Sequence, residues 1–123
     1  MSEKSLAERL QVKRERRLAV VDAPDGLGAL TGPHQSHVEP PDAEVVLFFA
    51  KDRAALEAKL THLLETIAST AIFWLAYPKL SSKQAADLNR DTIRVLAPDY
   101  GLDTVGQISV DDDWSALRLK RIA

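Results

Sequence analysis

The 123-residue chain contains no cysteine, and this absence removes a whole class of chemistry. Without thiols the chain has no disulfides, no thiolate zinc or iron–sulfur ligands and no cysteine nucleophile. Long apolar runs are also missing, since the longest is Ala71 to Tyr77, seven residues, whereas a membrane helix needs about 20. The first residues carry acids and lack the apolar core of a signal peptide. We therefore expect a cytoplasmic protein that does not contact a membrane.

Common catalytic motifs are absent as well. The sequence has no G-x-S-x-G, no H-E-x-x-H and no P-loop, and no nucleophile has a base beside it in sequence. We therefore favour a non-catalytic protein over an enzyme and expect no bound cofactor.

What the chain does have is enough apolar material for one domain over residues 1–123, with 46% hydrophobic residues, 28% charged residues and a net charge of -2. The charges are segregated: residues 1–17 carry six bases and three acids, while residues 22–50 and 99–113 each carry five acids and no base. The basic run KRERR comes without a groove-entering element, which disfavours nucleic-acid binding.

Hydrophobic spacing, capping residues and prolines predict the elements along the chain. In order, they are an N-terminal helical segment within 1–14, a strand over 17–23, a Gly/Pro loop over 24–42, a strand over 43–50, a helix capped by Asp52, a strand over 71–77, a helix from Ser81 to about Ala97, and a hairpin over 104–110 and 114–121. This order predicts a three-layer α/β fold of Rossmann-like or flavodoxin-like topology. Its mostly parallel sheet has helices on both faces and a C-terminal antiparallel β-hairpin.

The C-terminal half of the chain resembles an uncharacterised bacterial domain-of-unknown-function family of small α/β proteins. The resemblance rests on Phe73-Trp74-Leu75 running into Pro78-Lys79, on Gly101-Leu102, and on Val110 followed by Asp113-Trp114-Ser115-Ala116 and Leu117-Arg118. It is strongest over residues 71–120 and loose over 22–60. It implies the same α/β fold and a cytoplasmic protein, and it carries over no catalytic residue.

The best placed candidate site is formed by Lys79, Ser81 and Ser82. These residues stand where a central strand ends and a helix is predicted to begin, at the edge where open α/β sheets usually bind ligands. Free helix amides beside an ammonium group would suit a phosphate or a carboxylate. The alternative is a capping serine and a solvated lysine.

Two weaker candidates lie in the Gly/Pro loop. Gly26 and Gly28 follow the first strand as in a dinucleotide-binding turn, but the spacing departs from the usual fingerprint and Pro33 prevents a long helix from following. His34 and His37 are zinc-type ligands, but nothing in a proline-rich loop fixes their geometry. We therefore predict no metal site.

Two functions from different classes remain. The favoured one is a non-catalytic α/β domain that binds a protein partner or a small anionic ligand at the carboxyl edge of its sheet. The alternative is a small Rossmann-like nucleotide- or cofactor-binding enzyme, suggested by the glycine loop and the fold. The sequence leaves self-association into a homo-oligomer open.

Overall fold

The computed structural model describes residues 17–23, 38–83, 85–111 and 113–122. These residues form five strands and two α-helices: β1 (Leu18–Val21), β2 (Val45–Phe49), α1 (Arg53–Thr66), β3 (Ile72–Pro78), α2 (Arg90–Leu96), β4 (Leu102–Ser109) and β5 (Trp114–Arg121). The predicted N-terminal helical segment and most of the Gly/Pro loop lie outside the described residues. No helix among the described residues is long and apolar enough to cross a membrane.

The strands form one mixed sheet in the order β1-β2-β3-β5-β4. β1, β2 and β3 run parallel, and β5 runs antiparallel to both of its neighbours, β3 and β4. The short connection between β4 and β5 requires antiparallel pairing, and the pairing places β5 between β3 and β4. The predicted α/β fold with a C-terminal antiparallel hairpin is confirmed.

The sheet buries residues on both of its faces. On one face the apolar stripe of α1, Leu56, Leu60 and Leu63, packs in one core with Ile93 of α2 and with the inward side chains of the strands. The other face buries a second apolar cluster around Trp74 and Trp114. Both described helices contribute to the first core, so a helical layer over the second face stays a prediction. β2 is buried along its whole length, as expected for a strand between two others in an α/β sheet.

The start of α1 is where the sequence predicts it. Asp52 is the N-cap, and its Oδ1 accepts a hydrogen bond from the amide of Ala55 at 2.8 Å. A carboxylate at this position satisfies an amide that the helix itself leaves without a partner. The predicted cap is confirmed.

The predicted start of the second helix at Ser81 is wrong. α2 begins at Arg90, where the Asn89 side chain accepts hydrogen bonds from the amides of Asp91 and Thr92 at 2.9 and 3.0 Å. The residues after β3 instead form a turn, in which the Ser82 amide donates to the Lys79 carbonyl oxygen at 2.9 Å. In the sequence, Ser81 and Gln84 have the spacing of a capping box, but the observed box is made by Asn89 and Thr92.

Candidate functional site

The carboxyl ends of β1, β2 and β3 meet at one edge of the sheet because the three strands are parallel. β5 runs the opposite way, so its first residues reach the same edge, with Trp114 in register with Pro78. We call this the carboxyl edge. Open α/β folds bind ligands here, since strand-to-helix turns expose backbone amides and side chains together.

Asp22 opens the carboxyl edge directly after β1. Its backbone has φ 57°, in the left-handed region that few residues other than glycine adopt. Its two carboxylate oxygens each lie 2.7 Å from Nζ of Lys59 on α1. Both side chains are about half exposed, at 45% and 49%. The chain therefore turns sharply at the end of β1, and an ion pair fixes the side chain at that turn.

The N-terminus of α1 lies at the same edge and already holds two carboxylates. Asp52 caps the helix, and Oδ1 of Asp87 accepts a hydrogen bond from the amide of Arg53 at 2.7 Å. No local pattern predicts the second contact, since Asp87 and Arg53 are 34 residues apart. A ligand anion at this helix end would have to displace the protein's own carboxylates.

Lys79 and Ser82 contact the hairpin instead of a helix start. Nζ of Lys79 donates to Oγ of Ser109 at 2.8 Å, and its amide donates to the Asp113 carbonyl oxygen at 2.8 Å. Oγ of Ser82 donates to Oδ1 of Asp113 at 3.1 Å. Ser81 is exposed in the same turn. The structure thus keeps the three residues together at the carboxyl edge, but α2 begins too far along the chain to supply the helix amides expected beside them.

Tyr77 is a buried polar group beneath this edge that sequence reasoning assigned only to a strand. It is 3% exposed and in register with Ser115, which is 5% exposed. Burial raises the pKa of the Tyr77 phenol, and this outweighs the charge of Arg90 and the hydrogen bond with Ser115, which both lower it. The phenol therefore stays protonated and acts as a hydrogen-bonding group.

The remaining predicted site residues cannot be placed, and the nearby hairpin turn uses its own acidic residue for structure. Gly26, Gly28, His34 and His37 lie outside the described residues. In the hairpin turn, Oδ1 of Asp111 accepts from the amides of Asp113 and Trp114, both at 2.8 Å, so this carboxylate holds the turn. Within the described ranges no group of three His, Cys, Asp or Glu side chains could hold a metal ion.

No family model matches this chain, and no curated protein matches it. Several solved structures are similar to this chain. Magnesium protoporphyrin IX methyltransferase from Synechocystis, with bound S-adenosylmethionine (SAM), matches with a TM-score of 0.61 at 12% identity, over 94% of this chain and 76% of that one. The fold is Rossmann-like.

Other methyltransferases share the Rossmann-like fold. A TehB-like SAM-dependent methyltransferase from Corynebacterium glutamicum matches with a TM-score of 0.57 at 10% identity, over 98% of this chain and 89% of that one. Mitomycin 7-O-methyltransferase matches with a TM-score of 0.56 at 10% identity, and this chain spans 53% of its length. At such low identity the similarity concerns the fold alone.

Proposed function

We propose that this chain is a small Rossmann-like protein that binds an adenosine cofactor, with SAM as the first candidate, at the carboxyl edge beside β1. The observation that carries the proposal is the place of Gly26 and Gly28, which follow β1 closely in the sequence. In Rossmann-like folds, glycines after the first strand let the backbone approach a cofactor. The similar methyltransferase solved with bound SAM supports this alternative over a non-catalytic domain.

Asp22 is the charged group that we assign to the cofactor. It stands between β1 and the glycines, at the left-handed turn, with its carboxylate about half exposed. A carboxylate there can accept hydrogen bonds from ribose hydroxyls or from the ammonium group of SAM, and both partners suit a negative charge. Lys59 holds the carboxylate in place at 2.7 Å without covering it.

The test is calorimetric titration of the full chain with SAM, S-adenosylhomocysteine, ATP and NAD. We expect SAM and S-adenosylhomocysteine to bind and to raise the free energy of unfolding, by about 2.7 kcal/mol at a concentration 100 times Kd. Gly28→Val should abolish binding because the added side chain blocks a close backbone approach. If none of the four compounds binds at millimolar concentration, cofactor binding is excluded and the partner-binding hypothesis is the one that stands.

Two variants separate a direct role of Asp22 from a structural one. Asp22→Asn removes the charge and the ion pair, whereas Lys59→Met removes only the ion pair. An exposed ion pair contributes about 0–1 kcal/mol to stability, so both variants should fold. If Asp22 contacts the cofactor, Asp22→Asn weakens binding at least tenfold and Lys59→Met changes it much less. Equal losses in the two variants would show that the pair only shapes the turn.

A further inference from the structure

β4 is the last strand of the described sheet and pairs with β5 on one side alone. In an antiparallel pair, residues alternate between those that exchange hydrogen bonds with the neighbouring strand and those whose N–H and C=O point away from it. The Val110 amide donates to the Trp114 carbonyl oxygen at 2.9 Å, which fixes the phase of this alternation. Counting back along the register, the backbone N–H and C=O of Ser109 and Gln107 point to the open side of β4. In the described part of the chain, no backbone–backbone hydrogen bond outside the strand pairing involves either residue.

This open edge lacks the charges and prolines that usually protect an edge strand from a partner. From Thr104 to Ser109 the sequence is TVGQIS. The pairing of β4 with β5 shifts between Thr104 and Gly106, and such a β-bulge bends the strand. From Gly106 onward the register is regular, and a Cβ added at Gly106 would meet nothing within 4 Å. Another strand can therefore approach β4 along its second half.

A cleft of about 290 Å³ opens beside the same edge, between the first turn of α2 and β4. Gln107 is in register with Leu117, and Leu117 packs in the same core as Ile93 of α2, so the cleft lies on the sheet face that the helices cover. Leu117 is 3% exposed and forms the apolar floor. We call this the β4 cleft, and its lining residues are Arg90, Thr104, Val105, Gly106, Gln107 and Leu117.

Arg90 brings a positive charge to the β4 cleft. It is the first residue of α2 and is exposed. None of the ion pairs between described residues involves its guanidinium, whereas Asp91 beside it pairs with Arg94 at 4.0 Å. No acidic residue is among the described residues that line the cleft. A guanidinium has five N–H donors in a planar fork that matches a carboxylate. The β4 cleft therefore combines an open strand edge with a cation that is available to a carboxylate.

We propose that the open edge of β4 binds an extended peptide as an additional strand, with an acidic side chain of the peptide in the β4 cleft against Arg90. Backbone hydrogen bonds to Gln107 and Ser109 hold the peptide, and its alternate side chains give specificity. Every second side chain of an added strand falls on the sheet face of Gln107, where a carboxylate can accept two hydrogen bonds from a guanidinium. β4 and β1 are at opposite ends of the sheet, so this surface is separate from the proposed cofactor site.

The experiment titrates the full chain by calorimetry with a capped heptapeptide, Thr-Val-Thr-Glu-Thr-Val-Thr, and with the same peptide carrying glutamine in place of glutamate. We expect both peptides to bind and the glutamate peptide to bind about three- to fivefold more tightly, which is the range that exposed ion pairs reach. Amide hydrogen exchange at Gln107 and Ser109 should slow in the complex, because peptide carbonyls accept from both amides. Equal affinity of the two peptides would overturn the role of Arg90. No binding of either peptide at millimolar concentration would overturn the proposal.

One pair of variants tests the strand edge. Gln107→Pro removes the outward amide, a change that an edge strand tolerates, and should weaken peptide binding about tenfold or more because a peptide carbonyl loses its donor. Gln107→Thr keeps the amide and should bind as the wild-type chain does. Unchanged binding in Gln107→Pro would refute the proposal. A wild-type dimer that Gln107→Pro converts to a monomer would also refute it, since the edge would then pair two copies of the chain.

A second pair of variants tests the cation. Arg90→Gln should make the two peptides bind equally. Lys51→Gln removes the same charge at an exposed position that does not line the β4 cleft, and it should leave the ratio of the two affinities unchanged. Circular dichroism and the urea midpoint establish that each variant folds. If Gln107→Pro does not fold, the two peptides and Arg90→Gln still decide, and a ratio that Arg90→Gln leaves unchanged would refute the proposed contact.

Discussion

The contact between Trp114 and Phe49 is predicted to join the hairpin to the parallel part of the sheet. Phe49 is on β2 and Trp114 on β5, so the contact crosses over β3, which separates them. The ring centroids are 5.3 Å apart at an interplanar angle of 74°, an edge-to-face arrangement. Ala76 and Ala116 belong to the same buried cluster, and their small side chains leave room for the two rings to meet.

The perturbation that isolates this contact is a double-mutant cycle with Trp114→Leu and Phe49→Leu. Both rings are 3% exposed, so leucine keeps apolar character while the ring contact is lost. Edge-to-face aromatic pairs contribute about 0.5–1.5 kcal/mol beyond the area they bury. We therefore expect a coupling free energy of about 0.5–1.5 kcal/mol, on top of larger single-variant losses caused by the cavities.

Urea unfolding followed by circular dichroism measures the four free energies of unfolding. Val95→Ala is the control, since Val95 is 75% exposed and surface changes usually stay within about 0.5 kcal/mol. Strictly additive effects of Trp114→Leu and Phe49→Leu would refute the reasoning. A Trp114→Leu loss no larger than that of the control would refute the packing role of the tryptophan altogether.

Three further predictions concern single residues. Asn89→Ala should lower the free energy of unfolding by about 0.5–2 kcal/mol in urea titrations because two helix amides lose their partner, while Asn89→Asp should cost much less. Gly101→Ala should lower the free energy of unfolding by about 1–2 kcal/mol because φ at this position is 71°. Nothing crowds the added carbon, so the loss would come from the backbone conformation alone. Gly106, equally uncrowded but without a positive φ, is the control, and an equal loss in Gly106→Ala would contradict the backbone argument. In a Tyr100→Phe background, the ultraviolet absorbance of the Tyr77 phenolate should appear only above the ordinary pKa of about 10, since burial raises the folded pKa. The contribution of the Tyr77 phenol to the free energy of unfolding is fully present below its pKa in the unfolded chain and is lost as pH rises through its pKa in the folded protein. Tyr77→Phe should therefore make the protein lose less stability at alkaline pH. Titration of Tyr77 at or below the ordinary pKa would contradict its burial.

Much of the fold could be read from local patterns. The apolar runs at 43–50 and 71–77 become β2 and β3, and Asp52 caps α1 as expected. The start of α2 could not be read, because Ser81 and Asn89 both stand in plausible capping positions and only contacts with the hairpin separate them. Nζ of Lys79 donates a hydrogen bond to Ser109, and Oγ of Ser82 donates one to Asp113, each about 30 residues further along the chain.

The candidate sites also divide into features that local sequence patterns predict and features that depend on contacts between distant residues. The glycines after the first strand and the alternation of strands and helices along the chain follow from residue types close together in sequence, which is why the carboxyl edge could be proposed from the sequence. Contacts between distant segments could not be proposed in this way, since Arg121 meets Leu64 across 57 residues.

The sequence by itself determined the buried strands, the helix start at Asp52 and the absence of thiol chemistry, because hydrophobic period and capping depend on residues a few positions apart and the lack of cysteine depends on composition alone. Only the tertiary structure decided that β5 lies between β3 and β4, that Asp87 meets the start of α1, and that Arg121 of β5 meets the last turn of α1. These features depend on which strand edges pair and in which register, and that choice is made by the packing of the whole core.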